Sequence, residues 1–211
     1  MRLSLVGMAG SGKSYWSLKL AAHGFRRFCC DELIAVKLAP ELTRPDGTTI
    51  KTGEWVGFPY EPHHRERESK YLAYETQVLT EIVSYLERPE GHPEQNIVVD
   101  TTGSVIYAEE ERLRSLGRHT TIVYLSTPPE LRDPLLQAYV TNPHPMVWRE
   151  LFSKRPDETN EQALARCYPR LVSARERLYE RYAHVTIDYD TRSAGGFGVS
   201  EFLSATTVRE A

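Results

Sequence analysis

The sequence predicts an α/β fold, a central five-stranded parallel sheet covered on both faces by helices. Two observations predict it. Short apolar runs of strand length alternate with helical patterns along most of the 211 residues, the arrangement of a buried parallel sheet with crossover helices. And the first apolar run, Arg2 to Val6, ends at once in a glycine-rich turn, Gly7 to Ser14, that opens a helix.

The elements follow in order. Ser14 to Ala22 is a helix closed by Gly24, and Phe25 to Cys30 a second strand. Asp31 opens a short helix through Leu38, stopped by Pro40, with Asp31 as its natural N-cap. Pro40 to Tyr60 is punctuated and loop-like. From Glu61 to Leu86 the period is helical, with Leu72, Leu79, Ile82, Val83 and Leu86 on one face. The histidines and alternating charges of His63 to Glu68 predict a solvated, self-paired start to that helix. Asn96 to Val99 is a strand ending at Asp100, Glu109 to Leu116 a helix with an acidic start, and Thr120 to Leu125 a strand. Pro129 to Val140 is a helix, Glu161 to Tyr182 a long one, and Val185 to Asp188 the last strand. The whole, 1–211, reads as one domain, with a segment 142–160 suited to a lid and a tail 193–211 ending in a helix.

Composition narrows the function. A net charge of −3 gives no electrostatic case for a nucleic-acid or membrane partner. Three cysteines, two of them adjacent, do not make a disulfide framework, and Met1 leads straight into a strand-like run rather than a leader. A cytoplasmic protein is expected. Histidines are scattered without metal-ligand spacing.

The turn Gly7-Met8-Ala9-Gly10-Ser11-Gly12-Lys13-Ser14 is a phosphate-binding P-loop between a strand and a helix, as the motif requires. Its glycines let successive backbone N–H groups converge on an anion, and the helix adds its positive end. Lys13 can reach the β- and γ-phosphates of ATP, and Ser14 can ligate Mg²⁺. Asp100, ending an apolar strand, stands where such proteins hold a second Mg²⁺ carboxylate. Asp100-Thr101-Thr102-Gly103 fits a GTPase switch, but no guanine-reading N-K-x-D follows, so a small kinase is favoured. Three residues break the local pattern on the acceptor side: Arg175 on an apolar helical stripe, Glu75 between Leu72 and Leu79, and Asp31 after the second strand.

Taken together, the P-loop, Asp31-Glu32-Leu33-Ile34, Thr102-Gly103-Ser104 and Arg175-Glu176-Arg177-Leu178-Tyr179 resemble shikimate kinase over residues 1–190. The resemblance implies a mobile lid over ATP and a pocket for a small hydroxylated acceptor. By it, Asp31 matches the second aspartate of D-x-D, which holds the acceptor hydroxyl; Gly103 the middle glycine of G-G-G; Glu75 the glutamate of F-R-x-x-E; Arg175 the carboxylate-gripping arginine. It also implies a lid arginine over the transferred phosphate, assigned to Arg155 with Arg149 as runner-up. The sequence departs from the pattern at Cys29 for the first aspartate, Leu72 for the arginine of F-R-x-x-E, Thr102 and Ser104 for two glycines, and His144-Pro145-Met146-Val147 for R-P-L-L. The expected activity is transfer of the γ-phosphoryl group of Mg·ATP to a small-molecule hydroxyl, with Lys13, Asp31 and Arg155 catalytic. The alternatives are a nucleoside or nucleoside monophosphate kinase and a non-kinase nucleotide switch.

Overall fold

The computed structural model describes residues 1–88 and 95–207. Five strands, β1 (Arg2–Val6), β2 (Arg26–Cys29), β3 (Ile97–Asp100), β4 (Thr121–Leu125) and β5 (Val185–Ile187), form one sheet. Their order is β2-β3-β1-β4-β5 and every pairing is parallel. The helices are α1 (Lys13–Ala22), α2 (Cys30–Lys37), α3 (Ala39–Leu42), α4 (Thr52–Val56), α5 (His64–Glu87), α6 (Glu110–His119), α7 (Arg132–Thr141), α8 (Asn160–Tyr182), α9 (Tyr189–Ser193) and α10 (Val199–Ala205).

The strands are buried on both faces because their side chains alternate between two apolar cores. Leu3, Leu5, Val98, Val123 and Leu125 face Trp16 and Leu20 of α1 and Phe202 of α10. Val6, Ile97, Val99, Ile122 and Tyr124 face the larger core built from α2, α5, α6 and α8. Trp16 stacks on Phe202 at 4.5 Å, so the C-terminal helix is part of the packed domain. Residues 208–211 of the expected tail lie outside the described residues.

Several boundaries differ from expectation. Pro40 does not end helical structure; it occupies an early position of the one-turn α3, where its missing N–H is no loss. The loop expected over 40–60 contains α4. The helix expected from Pro129 splits into a 3₁₀ turn, Pro129–Leu131, and α7. Asp100 ends β3 as expected, paired with Leu5 and Cys29. The cap of α2 is Cys29, with no side-chain cap bond, and Asp31 lies inside the first turn. The expected N-cap role of Asp31 is corrected accordingly: its carboxylate accepts from Tyr71 Oη at 3.0 Å instead.

The start of α5 is solvated on one side only, with Arg65 and Glu66 exposed. His64 and Glu68 are buried, and Glu68 Oε1 accepts from the backbone N–H groups of Trp148 and Arg149. That bond explains a second difference. The expected lid, 142–160, is pinned to the core near its start: Met146, Val147 and Trp148 are each 1% exposed. The stretch after them, a 3₁₀ turn at Arg149–Leu151 and the loop to Thr159, lies at the surface. Among the described residues no helix is long and apolar enough to cross a membrane.

Candidate active site

All the chemistry-bearing residues lie at the C-terminal edge of the sheet, where the loops after β1, β2 and β3 converge. The loop after β1 has Gly7, Gly10 and Gly12 at φ 147°, 81° and 95°, a conformation L side chains rarely adopt. A Cβ on Gly10 would overlap Leu135, and on Gly7 would come 2.8 Å from Leu125 O. Glycine is thus required by backbone at all three positions and by space at Gly7. Lys13 Nζ folds back to donate to Gly7 O at 2.8 Å and Met8 O at 2.9 Å. Burial lowers the Lys13 pKa, and Asp100 and Asp31 pull it back up. Arg192 braces the loop from outside, donating to Ser11 O at 3.2 Å.

The loop fits a nucleotide's phosphates on its own geometry. Its glycines aim the backbone inward, α1 begins with no side-chain cap, and the buried Ser11 hydroxyl has no hydrogen-bond partner. A cavity of about 360 Å³ opens beside it, walled by Gly12, Lys13, Ser14, Asp31, Gly103 and His144 among others. Ser14 lines this cavity and could offer its hydroxyl to Mg²⁺, an ion that keeps much of its water and needs few protein oxygens. Asp100 is less free than the sequence suggested: its Oδ2 accepts from Ser17 Oγ at 2.9 Å and Arg27 Nη2 at 3.0 Å.

Asp31 joins the loop's lysine in the same cavity wall. Burial raises its pKa, while Lys13 and the Tyr71 hydroxyl act to lower it. Glu75 is fully enclosed and does not line the cavity. It accepts from the hydroxyls of Thr102 and, at 2.5 Å, Ser104. Burial pushes its carboxyl up to about 7, against the stabilising effect of those two donors. The two residues that replace glycines are thereby explained: their hydroxyls satisfy a buried carboxylate and fix Gly103 between them.

Arg175 is 2% exposed. Its Nη1 donates to Gly103 O at 3.3 Å, its Nη2 to Val147 O, and the guanidinium lies 5.4 Å from the Tyr107 ring centroid. The arginine that should grip an acceptor thus sits behind Gly103 and ties it to the 142–160 segment. Tyr179 Oη also donates to Gly103 O. Arg155 lies on an exposed turn, 3.9 Å from Glu158, and does not wall the cavity. Arg149 stands closer to the acceptor side, 5.1 Å over the same Tyr107 ring that Arg175 covers. Among the described residues it alone, apart from glycines, has a positive φ, 51°.

Sequence reasoning missed Ser17, Arg27, Tyr71, Glu68 and His144 as members of the site. A signal existed for two of them. His64, Glu68, Tyr71 and Glu75 fall at intervals of four, three and four on α5, so they share the buried face that continues into Val78, Leu79 and Ile82.

No family model matches the chain. It is 27% identical over 188 residues to shikimate kinase 2 of Serratia proteamaculans, covering 87% of this chain and 84% of that protein. A structure of shikimate kinase from Acinetobacter baumannii in complex with shikimate superposes with a TM-score of 0.57 at 25% identity, covering 96% of this chain and 88% of the other. Shikimate kinase from Aquifex aeolicus gives 0.58 at 19% identity, over 97% and 95% of the two chains, a likeness of fold. In sequence and in fold the chain is similar to shikimate kinases.

Proposed function

We propose that the chain is an ATP-dependent kinase transferring the γ-phosphoryl group to a hydroxyl of a small acceptor. The observation that carries this is the shared wall: Lys13, Ser14 and Asp31 line one cavity, so a phosphate on the loop and a hydroxyl on Asp31 are neighbours. Lys13 and the loop amides hold the phosphates, and Ser14 and Asp100 hold Mg²⁺, with Arg27 competing for Asp100 Oδ2. Bound Mg·ATP supplies the phosphoryl group, its metal neutralising charge between the phosphates. Asp31 accepts the acceptor's hydroxyl proton as that oxygen bonds to the terminal phosphorus and ADP departs with the broken bond's electrons.

The acceptor end is built around Gly103. Glu75 holds Thr102 and Ser104, and Arg175 holds the Gly103 carbonyl, so both act as positioning residues. With Leu72 in one guanidinium position and the other guanidinium turned to carbonyls, a bidentate carboxylate grip is absent from these two positions. This favours a hydroxylated acceptor other than shikimate. Of the two lid arginines Arg149 has the better placement, its backbone anchored by Glu68 and its side chain over Tyr107, and we assign it the closing role expected of Arg155.

The test is ATP consumption with Mg²⁺ against shikimate, other hydroxy acids, sugars and nucleosides, with K13A as blank. An acceptor-dependent rate establishes the kinase and its substrate class. ATP binding with a slow rate that no acceptor raises would replace the kinase with a nucleotide switch.

A further inference from the structure

The cavity wall constrains the charge of whatever enters it. Lys13 and Asp31 are its charged members; the others, Gly103 and Pro145 among them, bring backbone, hydroxyls or small apolar groups. His144 joins them as a neutral residue, because burial first, then Lys13 and Arg175, lower its pKa to about 4. Lys13 is already engaged at the phosphate loop, where its ammonium donates to Gly7 O and Met8 O. A carboxylate or phosphate on the acceptor finds no second cation in this wall.

The guanidinium groups packed around this end are engaged as well. Arg175 is 2% exposed, which leaves it almost no surface toward the cavity. Its Nη1 and Nη2 donate to Gly103 O and Val147 O. To take an anion it would have to leave two carbonyls unpaired inside the fold. Arg27 bridges Glu32 and Asp100 at 2.9 and 3.0 Å. Arg67 Nη1 donates to Trp55 O.

Negative charge, by contrast, gathers here. Asp31 lines the wall, and its Oδ1 accepts from Tyr71. Asp100 bears on Asp31 as a like charge, and Asp31 bears on Glu75 in the same way. The phosphates of a bound nucleotide add to this field. An anionic acceptor would enter against all of these charges without a partner of its own. A neutral alcohol meets no such cost, and its hydroxyls are donors that a carboxylate accepts. The cavity, about 360 Å³ and shared with the phosphates, also keeps the acceptor small.

We infer that the acceptor is a small, uncharged, polyhydroxylated molecule rather than an acid or a phosphate ester. The inference rests on the kinase reading and adds to it the charge class of the substrate. Selection comes from the cation the wall lacks: an acid is rejected because nothing in the cavity neutralises it, while a polyol of the same shape is accepted.

The experiment measures kcat/KM from ADP release, at saturating Mg·ATP, for acceptors paired to differ in charge. The pairs are shikimate methyl ester with shikimate, glucose with gluconate, glycerol with glycerol 3-phosphate, and adenosine with AMP, with K13A as blank. The uncharged member of any pair that turns over is expected to be better by about tenfold or more. A charged member that equals or exceeds its partner overturns the inference and leaves the kinase reading intact. If that charged preference then vanishes in R149A, the missing cation is on the lid. ATP binding by calorimetry, with a rate that no member of any pair raises, overturns the kinase reading and this inference with it.

Discussion

The phosphate loop and the acceptor pocket meet in one cavity but are built in opposite ways. The loop is a contiguous run of eight residues whose shape is dictated by its own glycines, with φ values of 147°, 81° and 95° at Gly7, Gly10 and Gly12. The acceptor side is assembled from Asp31, Tyr71, Glu75, Thr102 to Ser104, His144 and Arg175, which five separate stretches of chain bring together. A local device tolerates change elsewhere in the fold. A dispersed one changes whenever any contributing element does, and here it carries four of the departures from the shikimate kinase pattern. The difference teaches why a contiguous loop can keep its pattern while a dispersed pocket departs from it.

If the loop is the self-contained half, Lys13→Ala gives the largest loss of function, about a hundredfold or more in ATP turnover, with the melting temperature showing the fold intact. Asp31→Asn should reduce acceptor-dependent turnover by about 10²–10⁴-fold while leaving nucleotide affinity within twofold. Equal losses in turnover and ATP affinity would break the division between the halves. Trp148→Ala, which empties a core position under the lid, should destabilise the domain by about 3–5 kcal/mol in denaturant titration. A value near zero would show that Met146 to Trp148 belong to a moving lid after all. Arg149→Ala should lower kcat by about tenfold and Arg155→Ala by less than twofold, and the reverse order would return the lid to Arg155.

The smallest effect sharpens the acceptor half. The Glu75 carboxyl keeps its proton in the fold to about pH 7 against 4.5 when unfolded. Between those values the folded state binds more protons, so this contribution to stability is fully present below pH 4.5 and is lost as pH rises through 7. Glu75→Gln still accepts from Thr102 and Ser104 but cannot ionise. The variant should therefore gain stability relative to wild type between pH 5 and pH 8, by up to about 3 kcal/mol. Parallel stability curves would mean that Glu75 is ionised throughout.

Much of this was legible in the sequence, and the reasons are particular. The strand runs before Gly7, Asp100 and Ser126 announced themselves because a strand buried on both faces must be apolar throughout, as Val98 and Val99 are on opposite faces. Arg175 and Glu75 stood out as charges on apolar stripes, and both are buried. Glu68 was misread because four alternating charges look solvated when their helix is taken alone, and only the return of Trp148 onto α5 makes its carboxylate a cap. The lid was misjudged for the same reason: proline-bounded polar sequence reads as loop, whether or not Met146 to Trp148 find a core to fill.

The sequence by itself determined the α/β alternation, the phosphate loop and the identity of the charges that would need partners. These follow from short-range chemistry: alternation, glycine's access to positive φ, and the cost of burying a charge. Only the tertiary structure decided which partners those charges took. Arg175 closed on two carbonyls rather than on a carboxylate site, Arg27 claimed one oxygen of Asp100, and Tyr71 claimed Asp31. A hydrogen bond needs its atoms within about 3 Å, and that proximity, across 28 to 73 residues of chain in these pairs, is set by packing alone.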